Sequence, residues 1–156
     1  MTGPRVTHVS SVHKWTDNRV HYREAASLAK LGYQVTLIAR HSRIDGPQQT
    51  GVRLLLLPEQ PRLRRMLVNT VKAVRTALKT DAAVYHLHDP ELVWSIPLFR
   101  LLRKKVIYDA HEDLPAQVKN KPYLKGAGVP LMVLLAHLVV FVAKHCATHV
   151  IAATEK

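Results

Sequence analysis

The chain is strongly basic and has the size of one folded domain. It has 156 residues, of which 47% are hydrophobic and 22% are charged, a composition that supports a buried core and excludes intrinsic disorder. Its formal net charge of +12 favours partners that carry phosphate, namely nucleic acid, an anionic membrane face or a nucleotide diphosphate, and does not choose among them.

The first half of the chain alternates between strand-like and helix-like segments. Val6–Ser11 predicts a first strand, followed by a polar loop and by a helix from about Asn18 to Leu31. Gly32 stands where the left-handed residue that ends many helices is expected. Strands are predicted at Gln34–Ala39 and Val52–Leu57.

The same alternation continues in the second half. Apolar residues that recur every three or four positions from Leu63 to Leu78 predict an amphipathic helix, with arginine and lysine on its other side. Strands are predicted at Ala82–Leu87 and from Lys105 to Tyr108. The helix between them is expected to begin at Asp89–Glu91, with Asp89 as its N-cap, and to kink at Pro97.

The last predicted elements are an apolar helix and a strand. A long loop is expected up to about Gly128, then the helix Pro130–Cys146 and a sixth strand at His149–Ala153. The apolar run Val129–Ala143 is shorter than the roughly 20 residues that a bilayer-spanning helix needs. Alternating strands and helices predict an α/β fold, a Rossmann-like three-layer α/β/α domain with a parallel sheet of about six strands.

Polar and ionisable residues gather after the predicted strands. Ligands of doubly wound sheets bind outside the carboxyl ends of the strands, so these residues are expected to line a cleft. They are His13, Lys14, Asp17 and Arg19 after the first strand, Arg40 and His41 after the second, His86, His88 and Asp89 after the fourth, and Asp109, His111, Glu112 and Asp113 after the fifth. The first of these loops has no glycine and the chain has no phosphate-binding lysine loop, so no dinucleotide, P-loop nucleotide or other cofactor is assigned.

The histidines permit another interpretation, a small metal-dependent hydrolase. His86 and His88 are two residues apart, so both rings are expected on one side of a strand, where His111 and Asp109 could complete a zinc site. The competing interpretation makes Asp89 the helix cap and His86 a core residue or a support of the site. His88 is the better candidate for facing the cleft, and no residue is assigned as a metal ligand.

Four segments, in order, resemble a known family. They are NRVHYREAASLAKLGYQVTLIA at 18–39, VYHLHDPEL at 84–92, KKVIYDAHEDLPAQ at 104–117 and HVIAATE at 149–155. Together they resemble the N-terminal domain of retaining, family-4-type glycosyltransferases with the GT-B fold. That fold has two Rossmann-like domains, of which the N-terminal one mostly binds the acceptor and the C-terminal one binds the nucleotide-sugar donor. The resemblance implies that residues 1–156 form the acceptor-side half and that the donor-binding domain is absent from this chain.

The resemblance also implies roles for individual residues. His111 occupies the position of the histidine that reaches the donor sugar, and it is the catalytic candidate. The candidates for binding acceptor or phosphate are His13, Lys14, Asp17, Arg19, His88, Glu112 and Asp113. The first loop departs from the family, because many members carry a pair of glycines there. The transfer needs no bound metal in this fold.

The expected function is transfer of a hexose from a nucleotide-diphosphate sugar to a saccharide or lipid-linked acceptor, as in polysaccharide biosynthesis. The isolated chain is expected to be inactive, because the family's paired glutamates and the basic residues that neutralise the leaving diphosphate belong to the other half. An alternative is a non-catalytic acceptor-binding or membrane-docking subunit of a split glycosyltransferase, in which Pro130–Cys146 meets a partner chain or a bilayer.

Location and further partners follow from composition. A single cysteine, Cys146, and the lack of a recognisable signal peptide favour a cytoplasmic protein. Peripheral attachment to the inner face of the plasma membrane is compatible with this location. The basic cluster of Arg62, Arg64 and Arg65 suits a solvated face and an anionic membrane surface equally. Nucleic acid is not an expected partner, because there are only two Phe and two Trp and no recognition motif is present.

Overall fold

A computed structural model of the chain describes residues 3–42, 49–110, 114 and 128–152. The strands are β1 (Arg5–Lys14), β2 (Gln34–Arg40), β3 (Arg53–Leu57), β4 (Val84–Leu87), β5 (Lys105–Ala110) and β6 (His149–Ala152). They form one six-stranded sheet in the order β3-β2-β1-β4-β5-β6, and every neighbouring pair is parallel. The predicted Rossmann-like fold and all six predicted strands are confirmed. The strand order reverses between β1 and β4, and this is where such sheets bind ligands.

Within the described residues, four helices connect the strands, and three of them are not α-helical throughout. They are α1 (π-helical Asn18–Ala25, then α-helical Ala26–Lys30), α2 (Arg62–Arg64, π-helical Arg65–Asn69, then Thr70–Lys79), α3 (3₁₀ Pro90–Ser95, then α-helical Ile96–Leu101) and α4 (Gly128–Cys146). Gly32 follows α1 with φ +89°, as predicted for a glycine that ends a helix.

Pro97, which is predicted to kink α3, lies where the helix changes from 3₁₀ to α-helical. The helix is 3₁₀ as far as Ser95, and Pro97 lies in the first two positions of the α-helical part that follows. Proline is well accommodated there, because the first N–H groups of an α-helix have no partner within the helix. The proline therefore marks the start of the α-helical segment.

The sheet has a hydrophobic cluster on each face. Side chains alternate between the faces of a strand, so Ile38 points to one cluster while Leu37 and Ala39 point to the other. The larger cluster joins the sheet to α2, α3 and α4, and the smaller one includes Val20 of α1. α1 thus lies on one face of the sheet and the other three helices lie on the opposite face.

β1 is longer than predicted. It runs to Lys14 instead of ending at Ser11, with an irregularity in its pairing to β2 between Val9 and Lys14. The polar connection to α1 is correspondingly short. The polar residues after Ser11 were predicted as a loop because they lack an alternating apolar pattern, and the contacts described below explain why they extend the strand.

Only part of the apolar stripe of α2 is buried. Ala73, Val74 and Ala77 are in the core, whereas Leu63 and Leu67 at the start of the helix are 76% and 72% exposed. The periodicity located the helix correctly, but its first two turns leave most of their apolar side chains exposed. Their apolar side chains therefore face outward beside arginines.

α4 is exposed over most of its apolar surface. Its window Val129–Cys146 has a mean hydropathy of 2.0 and is 11% buried. Among the described residues this one helix is long and apolar enough, by length and composition, to cross a membrane, which corrects the expectation that the run is too short. Core helices of soluble proteins can have the same length and composition. Ala136 and Ala143 are its buried residues.

Candidate functional site

A cavity of about 430 Å³ opens at the carboxyl ends of β1, β4 and β5. Its described lining residues are Val12, His13, Asp17, Arg19, His88, Asp89, Pro90, Tyr108, Asp109, Ala110 and Leu114. Four of the predicted site residues, His13, Asp17, Arg19 and His88, are therefore brought together. The predicted His111, Glu112 and Asp113 lie outside the described residues.

Lys14 is placed differently from the other predicted residues of this segment. It is exposed at the end of β1, opposite Arg40 of β2, and it is not among the described lining residues of the cavity. Strand geometry explains this position. The pairing partner of Lys14 belongs to β2, whereas the cavity lies on the other side of β1, toward β4 and β5.

Asp89 occupies the N-cap position of α3, but its carboxylate does not cap the described residues of that helix. Its Oδ2 instead accepts hydrogen bonds from the backbone N–H of Ser11 at 2.6 Å and of Val12 at 3.1 Å, and from the hydroxyl of Ser10 at 2.9 Å. The prediction that Asp89 is a side-chain cap is therefore wrong. The buried carboxylate fixes the end of β1 and with it the wall of the cavity.

Asp17 is the side-chain cap at this site. Its Oδ1 accepts from the backbone N–H of Arg19 at 3.0 Å and of Val20 at 2.9 Å, and its Oδ2 lies 3.0 Å from Nδ1 of His13. Partial burial acts to raise the pKa of Asp17, but the helix N–H groups and His13 outweigh it and hold the pKa below its ordinary value. Asp17 is therefore a carboxylate that both starts α1 and orients His13.

Arg19 joins α1 to the end of β5. Its guanidinium donates to both oxygens of Asp109 at 2.6 and 2.5 Å, and its Nε donates to Oε1 of Glu24 at 3.0 Å. Burial acts to lower the pKa of Arg19, but Glu24 and Asp109 more than compensate and raise it. Among the described lining residues of the cavity, Arg19 is a fixed cation whose charge is matched by two carboxylates.

Three histidines lie beneath the cavity on the α1 face of the sheet. His86 and His88 have ring centroids 4.3 Å apart, which confirms that the two share one side of β4. His8, the pairing partner of His86 in β1, has its Nδ1 3.0 Å from Nε2 of His88. His88 Nδ1 is in turn 3.4 Å from Oδ2 of Asp109. Burial, followed by the neighbouring histidines, holds the pKa of His8 well below its ordinary value, so His8 is neutral.

The residues that could hold a metal differ from the predicted set. His86 and His88 meet His8 and Glu24, and one nitrogen or oxygen from each of the four lies within 4.8 Å of the others. The predicted fourth partner, His111, is outside the described residues. Sequence reasoning missed His8 and Glu24, because His8 is one residue of an ordinary strand and only its register with His86 reveals the cluster.

The chain matches the Glycosyl transferase 4-like domain family over residues 18–156. No curated protein sequence matches it significantly. Among solved structures, it resembles sucrose-phosphate synthase from Thermosynechococcus elongatus, with a TM-score of 0.58 and 10% identity over 96% of this chain and 47% of that one.

Two further solved structures share the fold. A putative epimerase from Burkholderia cenocepacia J2315 has a TM-score of 0.52 and 13% identity over 96% of this chain and 53% of that one. UGT73P12 of Glycyrrhiza uralensis, solved with glycyrrhetinic acid 3-O-monoglucuronide, has a TM-score of 0.50 and 11% identity over 75% of this chain and 30% of that one. The chain spans about half the length of the sucrose-phosphate synthase and epimerase chains and less than a third of the UGT73P12 chain. The sheet order and the cavity at the switch point are those of a Rossmann-like fold. Because the family match covers most of its length, the chain belongs to the glycosyl transferase 4-like domain family.

Proposed function

We propose that this chain is the acceptor-side half of a two-domain GT-B glycosyltransferase that moves a hexose from a nucleotide-diphosphate sugar to a saccharide or lipid-linked acceptor. The observation that carries the proposal is the cavity at the carboxyl ends of β1, β4 and β5, where His13, Asp17, Arg19 and His88 converge. Family membership supplies the reaction class, and this chain covers 47% of the sucrose-phosphate synthase chain, which leaves room for a second domain.

The charges of the cavity favour a hydroxyl-rich acceptor over a diphosphate. Asp17, Asp89 and Asp109 line it, while the guanidinium of Arg19 is already paired with Asp109 and Glu24. A carboxylate accepts hydrogen bonds from sugar hydroxyls, whereas a leaving diphosphate needs cations. We therefore assign the neutralisation of the diphosphate to the donor domain and the recognition of acceptor hydroxyls to this half.

His111 is the residue we propose to face the donor sugar. It follows directly after β5, whose last residues Asp109 and Ala110 line the cavity. A group held at this edge would meet a donor delivered from the opposite domain. Positioning of this kind accelerates the reaction only when both halves are present. The isolated chain is therefore proposed to be inactive.

The experiment that tests the division of labour compares two proteins. The chain as given and a two-domain protein that joins it to a donor-binding domain are each titrated with UDP- and GDP-sugars by calorimetry and assayed for sugar transfer or hydrolysis. The proposal expects donor binding and turnover by the two-domain protein alone. Tight donor binding or turnover by the chain on its own would contradict it.

A second proposal concerns location. We propose that the protein is cytoplasmic and that the start of α2 attaches it to an anionic membrane surface. Leu63 and Leu67 are exposed beside Arg62 and Arg64, so apolar and cationic groups share one surface. Such a surface gains free energy both from burying leucine in the interface and from attraction to anionic lipid, which is about 1 kcal/mol for each basic residue.

One arginine of the basic cluster has a different role. Arg65 donates to Oε1 of Glu91 at 2.9 Å, and both side chains are largely buried. It ties α2 to α3 beside a groove of about 410 Å³ lined by Met66, Leu67, Thr70, Val71, Glu91 and Trp94. An apolar groove adjoining a cationic surface would suit the hydrocarbon part of a lipid-linked acceptor.

A further inference from the structure

One carboxylate and three imidazoles meet in the interior beneath α1. His8 and His86 are paired across β1 and β4, His88 follows two residues later, and Glu24 reaches them from α1. His8 is 0% exposed, and the other two rings are also buried. Imidazole nitrogen together with carboxylate oxygen is a ligand set that suits zinc and neighbouring divalent transition metals.

The hydrogen bond between His8 and His88 determines which nitrogens can bind a cation. A neutral imidazole has one N–H and one lone pair. The Nδ1 of His88 lies 3.4 Å from a carboxylate oxygen of Asp109 in an ionic contact without hydrogen-bond geometry, and this negative charge favours the N–H of His88 at Nδ1. The Nε2 of His88 then accepts from Nδ1–H of His8 at 3.0 Å. This leaves the lone pair of His8 at Nε2.

Two of the atoms that point into this cluster lack an ordinary partner. His8 Nε2 is buried and makes no hydrogen bond with any described residue. The same holds within the described residues for Oε2 of Glu24, whose other oxygen accepts from Arg19. A buried lone pair without a donor is costly, and an imidazole nitrogen and a carboxylate oxygen in this state at one place indicate a missing cation.

We propose that His8, Glu24 and His86 bind a divalent transition-metal ion, with zinc as the best match, and that His88 and Asp109 orient His8 as positioning residues. Two histidines and one glutamate form a known zinc ligand set with an open fourth position. Metal-ligating histidines usually donate their other ring N–H to a neighbouring acceptor, and here Nδ1 of His8 is hydrogen-bonded to His88, whose Nδ1 faces the carboxylate of Asp109.

Distance and charge both suit this ion. Nδ1 of His86 lies 3.9 Å from Oε2 of Glu24, close to the separation of about 3.3 Å that ligands about 2.0–2.1 Å from one tetrahedral ion would have. The guanidinium of Arg19 balances one of the two carboxylates, the partly exposed Glu24 and the buried Asp109, so the site has a net negative charge before the ion enters. The ion would join α1 to β1 and β4 behind the wall of the cavity, and the proposed transfer reaction uses no step at it.

The test is metal binding by the whole chain. The purified protein is stripped with a chelator, titrated with Zn²⁺ by calorimetry, and titrated with Co²⁺ while the visible d–d absorption is recorded. We expect one ion per chain, the absorption of a four-coordinate site, and a higher unfolding temperature with Zn²⁺.

Variants distinguish Zn²⁺ binding at this site from Zn²⁺ binding by histidines on the surface. Glu24→Gln, which keeps the side-chain shape, and His8→Asn should each weaken Zn²⁺ binding by more than about 100-fold, and Asp109→Asn should weaken it by about 10- to 100-fold. His145→Asn, on the exposed face of α4, should leave binding unchanged. Circular dichroism of each stripped variant shows whether it is folded.

Two results would overturn the proposal, and neither bears on sugar transfer. One is a wild-type chain that shows no saturable Zn²⁺ binding, a result that does not depend on the folding of any variant. The other is binding that is unchanged in folded Glu24→Gln, because the ion would then lie at other histidines.

Discussion

At the scale of single residues, Asp89 supports the cleft more than its own helix. Its buried carboxylate accepts hydrogen bonds from the backbone of Ser11 and Val12 and from the hydroxyl of Ser10. Charge-assisted bonds from backbone N–H groups are among the stronger bonds in a protein. The shape of the cavity wall formed by β1 therefore depends on one carboxylate at the start of α3.

The variant Asp89→Asn tests this dependence. The amide has nearly the same shape but carries no charge, and its NH₂ group cannot accept a bond. We expect the free energy of unfolding to fall by about 1–3 kcal/mol, measured by urea denaturation. Glu59→Gln changes the same charge at an exposed position and should alter stability by less than about 0.5 kcal/mol. Equal stabilities of the two variants would show that Asp89 does not hold β1.

His21 provides a pH dependence. Its Nδ1 lies 2.7 Å from the carbonyl oxygen of Trp15 and its Nε2 lies 2.9 Å from the hydroxyl of Thr50, while burial lowers its pKa below the ordinary value. The unfolded chain therefore takes up a proton at a higher pH than the folded chain does. The stability contributed by His21 is fully present above about pH 6.5 and is lost as the pH falls below that value.

The variant His21→Gln should reduce this acid sensitivity. Denaturation midpoints measured at pH 7.5 and 5.5 should differ less in His21→Gln than in the wild type, and His145→Gln, at an exposed position, should behave as the wild type does. A pH dependence that is the same in His21→Gln and in the wild type would refute this role.

The placement of a site residue could be predicted from sequence only where it follows from neighbouring residues in the chain. His13, Asp17, Arg19 and His88 were found from sequence because residues after parallel strands share one edge of the sheet. The carboxylate of Asp89 was misassigned, because its partners on β1 are about 78 positions away and compete with its own helix. The residues next to Asp89 in the sequence do not indicate a contact between its carboxylate and β1.

At the scale of elements, α2 combines two surfaces. Its later turns pack Ala73, Val74 and Ala77 into the core, while its first turns expose Leu63 and Leu67. Periodicity predicts an apolar stripe along the helix, but it does not predict which turns of that stripe are buried in the core. The exposed turns are therefore visible only once the sheet is in place.

Sedimentation with lipid vesicles tests the proposed membrane attachment of α2. The chain should bind vesicles that contain phosphatidylserine, bind neutral vesicles less, and release as salt rises. Leu67→Ser should weaken binding by about 10- to 100-fold, because a buried leucine contributes about 1.5–3 kcal/mol.

The control for this experiment is a leucine on the other exposed apolar helix. Leu134 of α4 is 65% exposed, and Leu134→Ser should leave vesicle binding unchanged if α2 is the attachment surface. The opposite pattern, with loss of binding in Leu134→Ser alone, would refute attachment through α2.

Strand register is the feature of the sheet that sequence could not supply. The six strands were located to within a few residues, since each has an apolar stretch bounded by polar or turn residues. That His8 pairs with His86 follows from how β1 and β4 align. Alignment of parallel strands is set by the packing of whole elements, so the histidine cluster appears only in the folded chain.

At the scale of the whole molecule, the account depends on one cleft. Sheet order, predicted only as parallel and doubly wound, places the ends of β1, β4 and β5 side by side. Among the described lining residues, the cation of Arg19 is already paired with carboxylates. This composition supports our proposal that this half binds the acceptor and that a second domain neutralises the leaving diphosphate.

The most direct test of this account is the transfer activity of the two-domain protein with His111→Ala, with His145→Ala as its matched control. We expect His111→Ala to lower kcat by about 100-fold or more while donor binding, measured by calorimetry, stays close to that of the wild type, as for a group that acts in the transition state. His145→Ala should keep full activity. Transfer by His111→Ala at the wild-type rate would contradict the account, because the end of β5 would then not face the reacting sugar.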